Sequence, residues 1–213
     1  MIPWLRAADR RRSHVADLMT EEQAHCSSCG RSILQQTADR LGGMCAPCAK
    51  HARKTPEQLF EEAVFRRIDA AIEPFSSYRN AVDALRKLPP GYLLCFAFAC
   101  VHADLSNGGA SQLYRNSTWP MIVDAIEAAE VTNMHAVASL LREIVYYYHD
   151  RNRSKLTSRV TKEFFASIPR GWQKSLAELD NEYLALSAQA STVIHDLCER
   201  HHALFEPMLE QPR

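Results

Sequence analysis

The sequence predicts an all-α globular domain preceded by a small metal-binding segment. Two observations predict the helical domain: the 213-residue chain has only seven glycines, and its apolar residues recur mainly at three- and four-residue intervals, the spacing of one helix face. A third observation predicts the metal-binding segment, because two Cys-x-x-Cys pairs lie near the N-terminus. We therefore expect a charged helix over residues 1–24, a zinc-ribbon-like segment over 25–54 and an all-helical domain over 55–213.

The four N-terminal cysteines are the predicted metal ligands. Cys26 and Cys29 form the first pair, Cys45 and Cys48 form the second, and fifteen residues separate the pairs. Four thiolates suit a tetrahedral zinc ion with Zn–S distances of about 2.3 Å, and they leave no open position for catalysis. Gly30 follows the first pair directly, where a tight turn often needs a residue that tolerates positive φ. The spacing therefore predicts a structural Zn²⁺.

Other interpretations of these cysteines are less favoured. A disulfide framework needs an oxidising compartment, whereas the N-terminus reaches Arg6 too early for the apolar core of a signal peptide. A thioredoxin-like redox pair needs a βαβ setting, which the flanking sequence lacks. His25 and His51 flank the pairs and are alternative ligands, although each is more simply a surface histidine. We expect a reduced, metal-bound cluster and a cytoplasmic location.

Helix-starting and helix-ending residues divide the first half of the helical domain. Thr55 and Pro56 suit a helix start, because threonine caps and proline fits the first helical position. Pro74 ends that helix, and Ser76-Ser77 caps a second one that reaches Leu88. The apolar run after the following Pro-Pro-Gly predicts a buried core helix over 92–106. It is much shorter than the roughly 18 apolar residues of a membrane span, so we predict no membrane association.

The second half of the domain is also predicted to be helical. Gly108-Gly109 ends the core helix, because glycine tolerates the left-handed cap conformation. The polar stretch 150–155 predicts a loop. Apolar periodicity and caps predict six further helices, which cover 110–116, 117 to about 130, 132–148, 157–166, 172–186 and 188–205.

Polar residues beside the glycine pair are candidate binding residues. Gln112 and Asn116 are four residues apart and share a helix face, and Asn107 precedes the glycines. Their amides are suited either to a ligand or to the backbone groups that the glycine turn frees. We favour the second interpretation, because buried polar groups in proteins are nearly always hydrogen-bonded.

Two segments carry a resemblance to a known family. The segment 105–117, Leu-Ser-Asn-Gly-Gly-Ala-Ser-Gln-Leu-Tyr-Arg-Asn-Ser, and the segment 179–183, Leu-Asp-Asn-Glu-Tyr, resemble the C-terminal domain of a bacterial family named after a DNA-mimic protein. The resemblance covers roughly Phe75 to Arg200 and leaves the cysteine pairs outside. It implies an all-helical domain without known catalytic activity. It also implies that at least one relative presents carboxylates where a DNA-binding protein expects phosphates.

Charge and the remaining motifs limit the functional classes. Residues 1–56 carry nine Lys/Arg against five Asp/Glu, and the rest carries sixteen against twenty. Phosphate-binding glycine loops and hydrolase or metalloprotease motifs are absent from the sequence, so we predict no catalytic residues. We favour a non-enzymatic protein-interaction module that acts on a DNA-binding or transcription-related protein. The alternative is a nucleic-acid-associated factor that uses the basic N-terminal segment, an enzyme is the least favoured class, and a homodimer stays open.

Overall fold

The computed structural model describes residues 22–116, 118–149, 163–166 and 168–206. The chain divides into two compact units, residues 1–55 and residues 56–213, called the N-terminal unit and the helical unit below. Most of the helix predicted for residues 1–24 lies outside the described residues. Its last two residues are not helical, because Gln23 and Ala24 belong to a strand.

The N-terminal unit contains a hairpin followed by two short helices. Strand β1 (Gln23–His25) pairs antiparallel with β2 (Ser32–Leu34), and Ala24 lies opposite Ile33. Helix α1 (Gln35–Arg40) follows directly, and α2 (Ala46–Ala52) comes after a turn that contains Gly42 and Gly43. Both glycines have positive φ, 61° and 81°, which explains why glycine occupies this turn.

The helical unit confirms the all-α prediction. Its first helices are α3 (Pro56–Ile72), α4 (Tyr78–Leu85) and α5 (Pro90–Arg115). They are followed by α6 (Ile122–Val131), α7 (His135–His149), α8 (Leu176–Ala190) and α9 (Val193–Arg200). Short 3₁₀ turns lie at Trp119–Met121, Glu163–Phe165 and His202–Phe205.

Several predicted boundaries were wrong, and a local cap explains one of them. Helix α8 begins at Leu176, not at residue 172, because Ser175 and Glu178 form a reciprocal capping box. The predicted helix over 188–205 is broken: α8 continues to Ala190, α9 spans Val193–Arg200, and a 3₁₀ turn follows. Residues 157–162 of another predicted helix lie outside the described residues.

Helix α5 is the centre of the hydrophobic core. It packs against α6, α8 and α9, and α6 in turn packs against α7. Its length and mean hydropathy of 1.2 would suit a membrane span. However, its apolar side chains lie within the core, where Cys95 and Ala97 are completely buried. Its composition is therefore accounted for by packing within the helical unit.

The glycine pair breaks α5 without separating its two parts. Gly108 (φ −156°, ψ 16°) and Gly109 (φ 68°, ψ −168°) have non-helical backbone angles, and helical geometry resumes at Ala110. The prediction of a helix end at this position, followed by a short helix, therefore describes a kink within α5. The kink lies at the exposed Gly108 and the half-buried Gly109, and it frees backbone groups that need partners.

Candidate functional site

The four N-terminal cysteines converge although they come from two different structural elements. Cys26 and Cys29 lie in the turn between β1 and β2. Cys45 is the residue that precedes α2, and Cys48 lies in the first turn of this helix. All four Sγ atoms lie within 4.8 Å of one another. We call these four residues the cysteine cluster.

The geometry of the cysteine cluster fits a tetrahedral metal site. The Cys29 and Cys45 sulfurs are 3.8 Å apart, and a tetrahedron with metal–sulfur distances of ~2.3 Å has edges of about 3.8 Å. The positive φ of Gly30 (72°) turns the chain back toward β2, as its position after Cys29 predicts. The cluster is therefore compatible with a bound metal ion.

Backbone hydrogen bonds favour thiolate at one position of the cluster. The Cys45 N–H donates to the Cys26 sulfur over 3.2 Å, and this bond is the main reason why the pKa of the Cys26 thiol falls to about 6. The pKa of Cys48 rises to about 12, chiefly because of its side-chain hydrogen bond with Cys45. Four thiolates this close repel one another unless a cation compensates their charge. The donor set therefore suits a cation that binds thiolates.

A second polar cluster forms around the kink in α5. Asp104 is only 8% exposed. Its Oδ1 accepts hydrogen bonds from Gln112 Nε2 (3.3 Å) and Asn116 Nδ2 (2.8 Å), and its Oδ2 accepts from the Thr118 hydroxyl. We call these four residues the Asp104 network. A carboxylate with three donors is well compensated for its burial.

The Asp104 network shows where the predicted binding residues lie. Gln112 and Asn116 come together because both donate to the same carboxylate. Asn107 is exposed and is not one of the described donors to Asp104. The expectation that these amides bond backbone groups freed by the glycine turn was wrong, because both donate to the Asp104 side chain and brace the kink by linking residues on its two sides. A binding role for these three residues stays a prediction.

Helix α8 satisfies the backbone on the other side of the kink. The Ala110 N–H donates to Asp180 Oδ1 over 2.7 Å. Three residues further on, the Tyr183 hydroxyl lies 2.7 Å from His102 Nδ1 on α5, and Leu179 and Tyr183 are buried. The Leu-Asp-x-x-Tyr element therefore docks α8 on the kinked helix. Sequence reasoning did not assign Asp104 and Asp180 these acceptor roles, although both are acidic residues beside a segment with freed N–H groups.

These contacts explain the two sequence segments on which the family resemblance rests. The family model described as DMP19-like protein matches residues 86–201, more than half of the chain. The chain belongs to this family. The DMP19-like match lies within the helical unit and includes both α5 and α8, so the resemblance is confirmed. Searches of curated proteins and of solved structures found no significant match.

The cysteine cluster lies outside the residues that the DMP19-like match covers. Within the match, Cys100 and His102 are two residues apart in sequence and are a candidate nucleophile and base. Burial and the neighbouring Asp104 raise the pKa of Cys100 to about 12, and burial lowers the pKa of His102. A reactive cysteine needs the opposite shift, toward thiolate. DNA-mimic families are generally non-enzymatic, and our prediction names no catalytic residues.

The bracing interpretation makes a specific prediction for Gln112. Gln112→Ala removes one donor to a buried carboxylate, and hydrogen bonds to charged groups contribute about 1.5–3 kcal/mol. We expect urea denaturation, followed by tryptophan fluorescence, to show a loss in the free energy of unfolding of about that size. Asn107→Ala, at an exposed position, is the control and should change it by less than about 0.5 kcal/mol. Unchanged stability of Gln112→Ala together with lost partner binding would instead favour a binding role.

Proposed function

We propose that the chain is a non-enzymatic, cytoplasmic protein-interaction module with a structural Zn²⁺ site. In this proposal the helical unit binds a DNA-binding or transcription-related protein, and the zinc ion stabilises the N-terminal unit. Membership of the DMP19-like family is the observation that carries the proposal. Because the family is named after a DNA mimic, membership favours a protein that a DNA-binding partner binds in place of DNA.

The net charge of the helical unit supports a basic protein partner. From Glu57 onward, the sequence carries twenty Asp/Glu against sixteen Lys/Arg, a net charge of −4. Five of these basic residues and one of the acidic residues fall within residues 150–162, so the remainder of the sequence from Glu57 onward has a net charge of −8. An excess of negative charge attracts the positive surface with which a protein binds DNA. The helical unit is therefore acidic overall, and many of its basic residues fall in one short stretch of the sequence.

Three ion pairs within the helical unit cancel charges of both signs locally. Lys174 Nζ lies 2.6 Å from Glu143 and 2.7 Å from Glu182, and Arg142 pairs with Glu130. The two basic side chains pair with three carboxylates, so this group keeps one net negative charge. Meanwhile Asp69 and Glu73, near the end of α3, have exposed side chains. Carboxylates of this kind are the groups that a phosphate-binding protein surface would contact.

A competition experiment tests the interaction proposal. The tagged full-length protein should capture the same host protein before and after nuclease treatment, because the contact does not require nucleic acid. An excess of duplex DNA should release that protein, since both ligands would occupy one basic surface. Capture that is insensitive to duplex DNA would contradict mimicry, and capture of proteins without DNA-binding activity would contradict the proposed class of partner.

Matched charge variants sharpen this test. Removing two exposed carboxylates with Asp69→Asn and Glu73→Gln should slow association with the captured protein several-fold at low salt and by less at high salt. Arg79→Gln removes an exposed basic side chain of α4 and should not slow association. Stopped-flow fluorescence or surface plasmon resonance measures both rates. Equal association rates for the two variants would argue against electrostatic recognition of the helical unit.

A nucleic-acid-associated factor is the second candidate, and the charge of the N-terminal unit favours it. Residues 22–55 carry five Lys/Arg against two Asp/Glu, and four of the basic side chains are exposed: Arg31, Arg40, Lys50 and Arg53. Binding through such residues would weaken steeply with salt, with a slope near −0.9 per phosphate contact on duplex DNA. Loss of partner capture after nuclease treatment would favour this candidate.

A further inference from the structure

The four sulfurs of the cysteine cluster differ strongly in their exposure. Cys26 and Cys45 are 3% and 4% exposed, and Cys48 is half-buried, whereas Cys29 is exposed. Zinc-bound thiolates remain nucleophiles, and the access of an oxidant then decides which sulfur reacts first. Cys29 is therefore the position at which a small oxidant reaches the cluster.

The exposed sulfur lies against a buried sulfur of the other Cys-x-x-Cys pair. Cys29 Sγ and Cys45 Sγ are 3.8 Å apart, and a disulfide requires a separation of about 2.05 Å. The two atoms must approach each other by less than 2 Å. Glycines, which accept the widest range of backbone angles, lie beside both: Gly30 follows Cys29, and Gly42-Gly43 precedes Cys45 by two residues.

We propose that the cysteine cluster is an oxidation-sensitive site in which peroxide joins Cys29 to Cys45 and releases the metal. This inference rests on the zinc site of the proposed function and adds its regulation. Cys29 is the sulfur that peroxide attacks, and Cys45 is the sulfur that resolves the product. The disulfide crosses between the two Cys-x-x-Cys pairs and closes the loop of residues 30–44.

The chemistry balances with hydrogen peroxide as the oxidant. The Cys29 thiolate attacks one peroxide oxygen, so an S–O bond forms, the O–O bond breaks and hydroxide leaves. The Cys45 thiolate then attacks the Cys29 sulfenic acid, so the S–S bond forms and a second hydroxide leaves. Two protons convert the hydroxides to water, and two thiolates have reduced one peroxide. The zinc ion loses two of its four ligands, which a closed tetrahedral site does not tolerate.

Release of zinc is expected to open the N-terminal unit. Small metal-organised segments derive their folding free energy from the ion. The helical unit has its own core and should stay folded. Peroxide would therefore inactivate whatever contact depends on the N-terminal unit, and a thiol reductant together with zinc would restore it.

Trypsin separates the possible disulfides by mass. Cleavage after Lys and Arg places Cys26 and Cys29 on the peptide 13–31 and Cys45 and Cys48 on the peptide 41–50. A disulfide between the pairs joins these two peptides, whereas a disulfide within either pair leaves them separate. After peroxide treatment of the zinc-loaded full chain and blocking with iodoacetamide, we expect the joined peptides, with fragmentation that assigns Cys29 and Cys45. Separate peptides with a disulfide within one pair would overturn the proposal.

A substitution that keeps a zinc ligand tests the role of Cys29. Cys29→His retains a nitrogen donor, and three cysteines with one histidine form a common structural zinc site. We expect this variant to bind zinc and to release it to a chromogenic chelator at least tenfold more slowly under peroxide. Cys100→Ser, outside the cysteine cluster, is the control and should release zinc at the original rate. Unchanged release from a zinc-loaded Cys29→His would refute attack at Cys29.

The failure of this inference and the failure of the proposed zinc site give different results. If native mass spectrometry finds no zinc on the fresh reduced protein, the zinc site itself is wrong. If zinc is present but peroxide yields no disulfide between the two tryptic peptides, only the proposed regulation is wrong. If Cys29→His fails to bind zinc, the peptide masses of the unmodified chain still decide the question.

Discussion

Replacing Cys45 with serine is expected to abolish metal binding and to unfold the N-terminal unit. The Cys45 sulfur is buried and lies 3.8 Å from that of Cys29, and its backbone N–H donates to the Cys26 sulfur. A serine hydroxyl is a poor zinc ligand beside three thiolates. Zinc binding in small structural sites contributes about 10–16 kcal/mol of apparent binding free energy, so this substitution should have the largest effect of those considered.

Native mass spectrometry and limited proteolysis measure this effect. We expect one zinc per unmodified chain and almost none on Cys45→Ser. Trypsin should then cut the variant rapidly at Arg31 and Arg40, while far-ultraviolet circular dichroism changes little because the helical unit is a separate unit. Cys100→Ser should keep its zinc and its resistance to trypsin. Full zinc occupancy of Cys45→Ser would show that Cys45 is not a ligand.

Replacing Gly109 with alanine is expected to destabilise the helical unit by about 2–4 kcal/mol, for two reasons that add. Its φ of 68° and ψ of −168° lie in a region that is almost restricted to glycine and that costs other residues about 1–3 kcal/mol. A Cβ atom would also lie only 2.5 Å from Asp180 Oδ1. Asp180 would have to move and would lose its hydrogen bond with the Ala110 N–H.

Gly171→Ala measures the cost of a positive φ without a steric clash. Gly171 has a φ of 80°, but a Cβ atom there would meet nothing within 4 Å. We expect it to cost about 1–2 kcal/mol, the cost of left-handed backbone for a residue with a Cβ atom. Urea denaturation measured by the fluorescence of Trp119 and Trp172 reports both variants. If Gly109→Ala were no more destabilising than Gly171→Ala, the docking of α8 on the kink through Asp180 would contribute little to stability.

The helical unit was largely predictable from local pattern. The apolar spacing and the caps predicted its helices, and the glycine pair predicted the interruption in α5. Predicted boundaries were wrong where a side-chain cap determines the first residue of a helix, as the capping box of Ser175 and Glu178 does for α8. The Ser-x-x-Glu spacing of this capping box is visible in the sequence, and the prediction of a start at residue 172 missed that signal.

By itself the sequence determined the helical class, the family and the set of four cysteines, because each depends on residue type and short-range spacing. Only the tertiary structure decided that Asp104 collects three donors, that Asp180 caps the kink from another helix and that Cys29 is the exposed sulfur of the cluster. The Ala110–Asp180 contact joins residues 70 apart in sequence, and exposure depends on every neighbour in space. Local periodicity carries no information about either, because both arise only when distant helices and turns pack together.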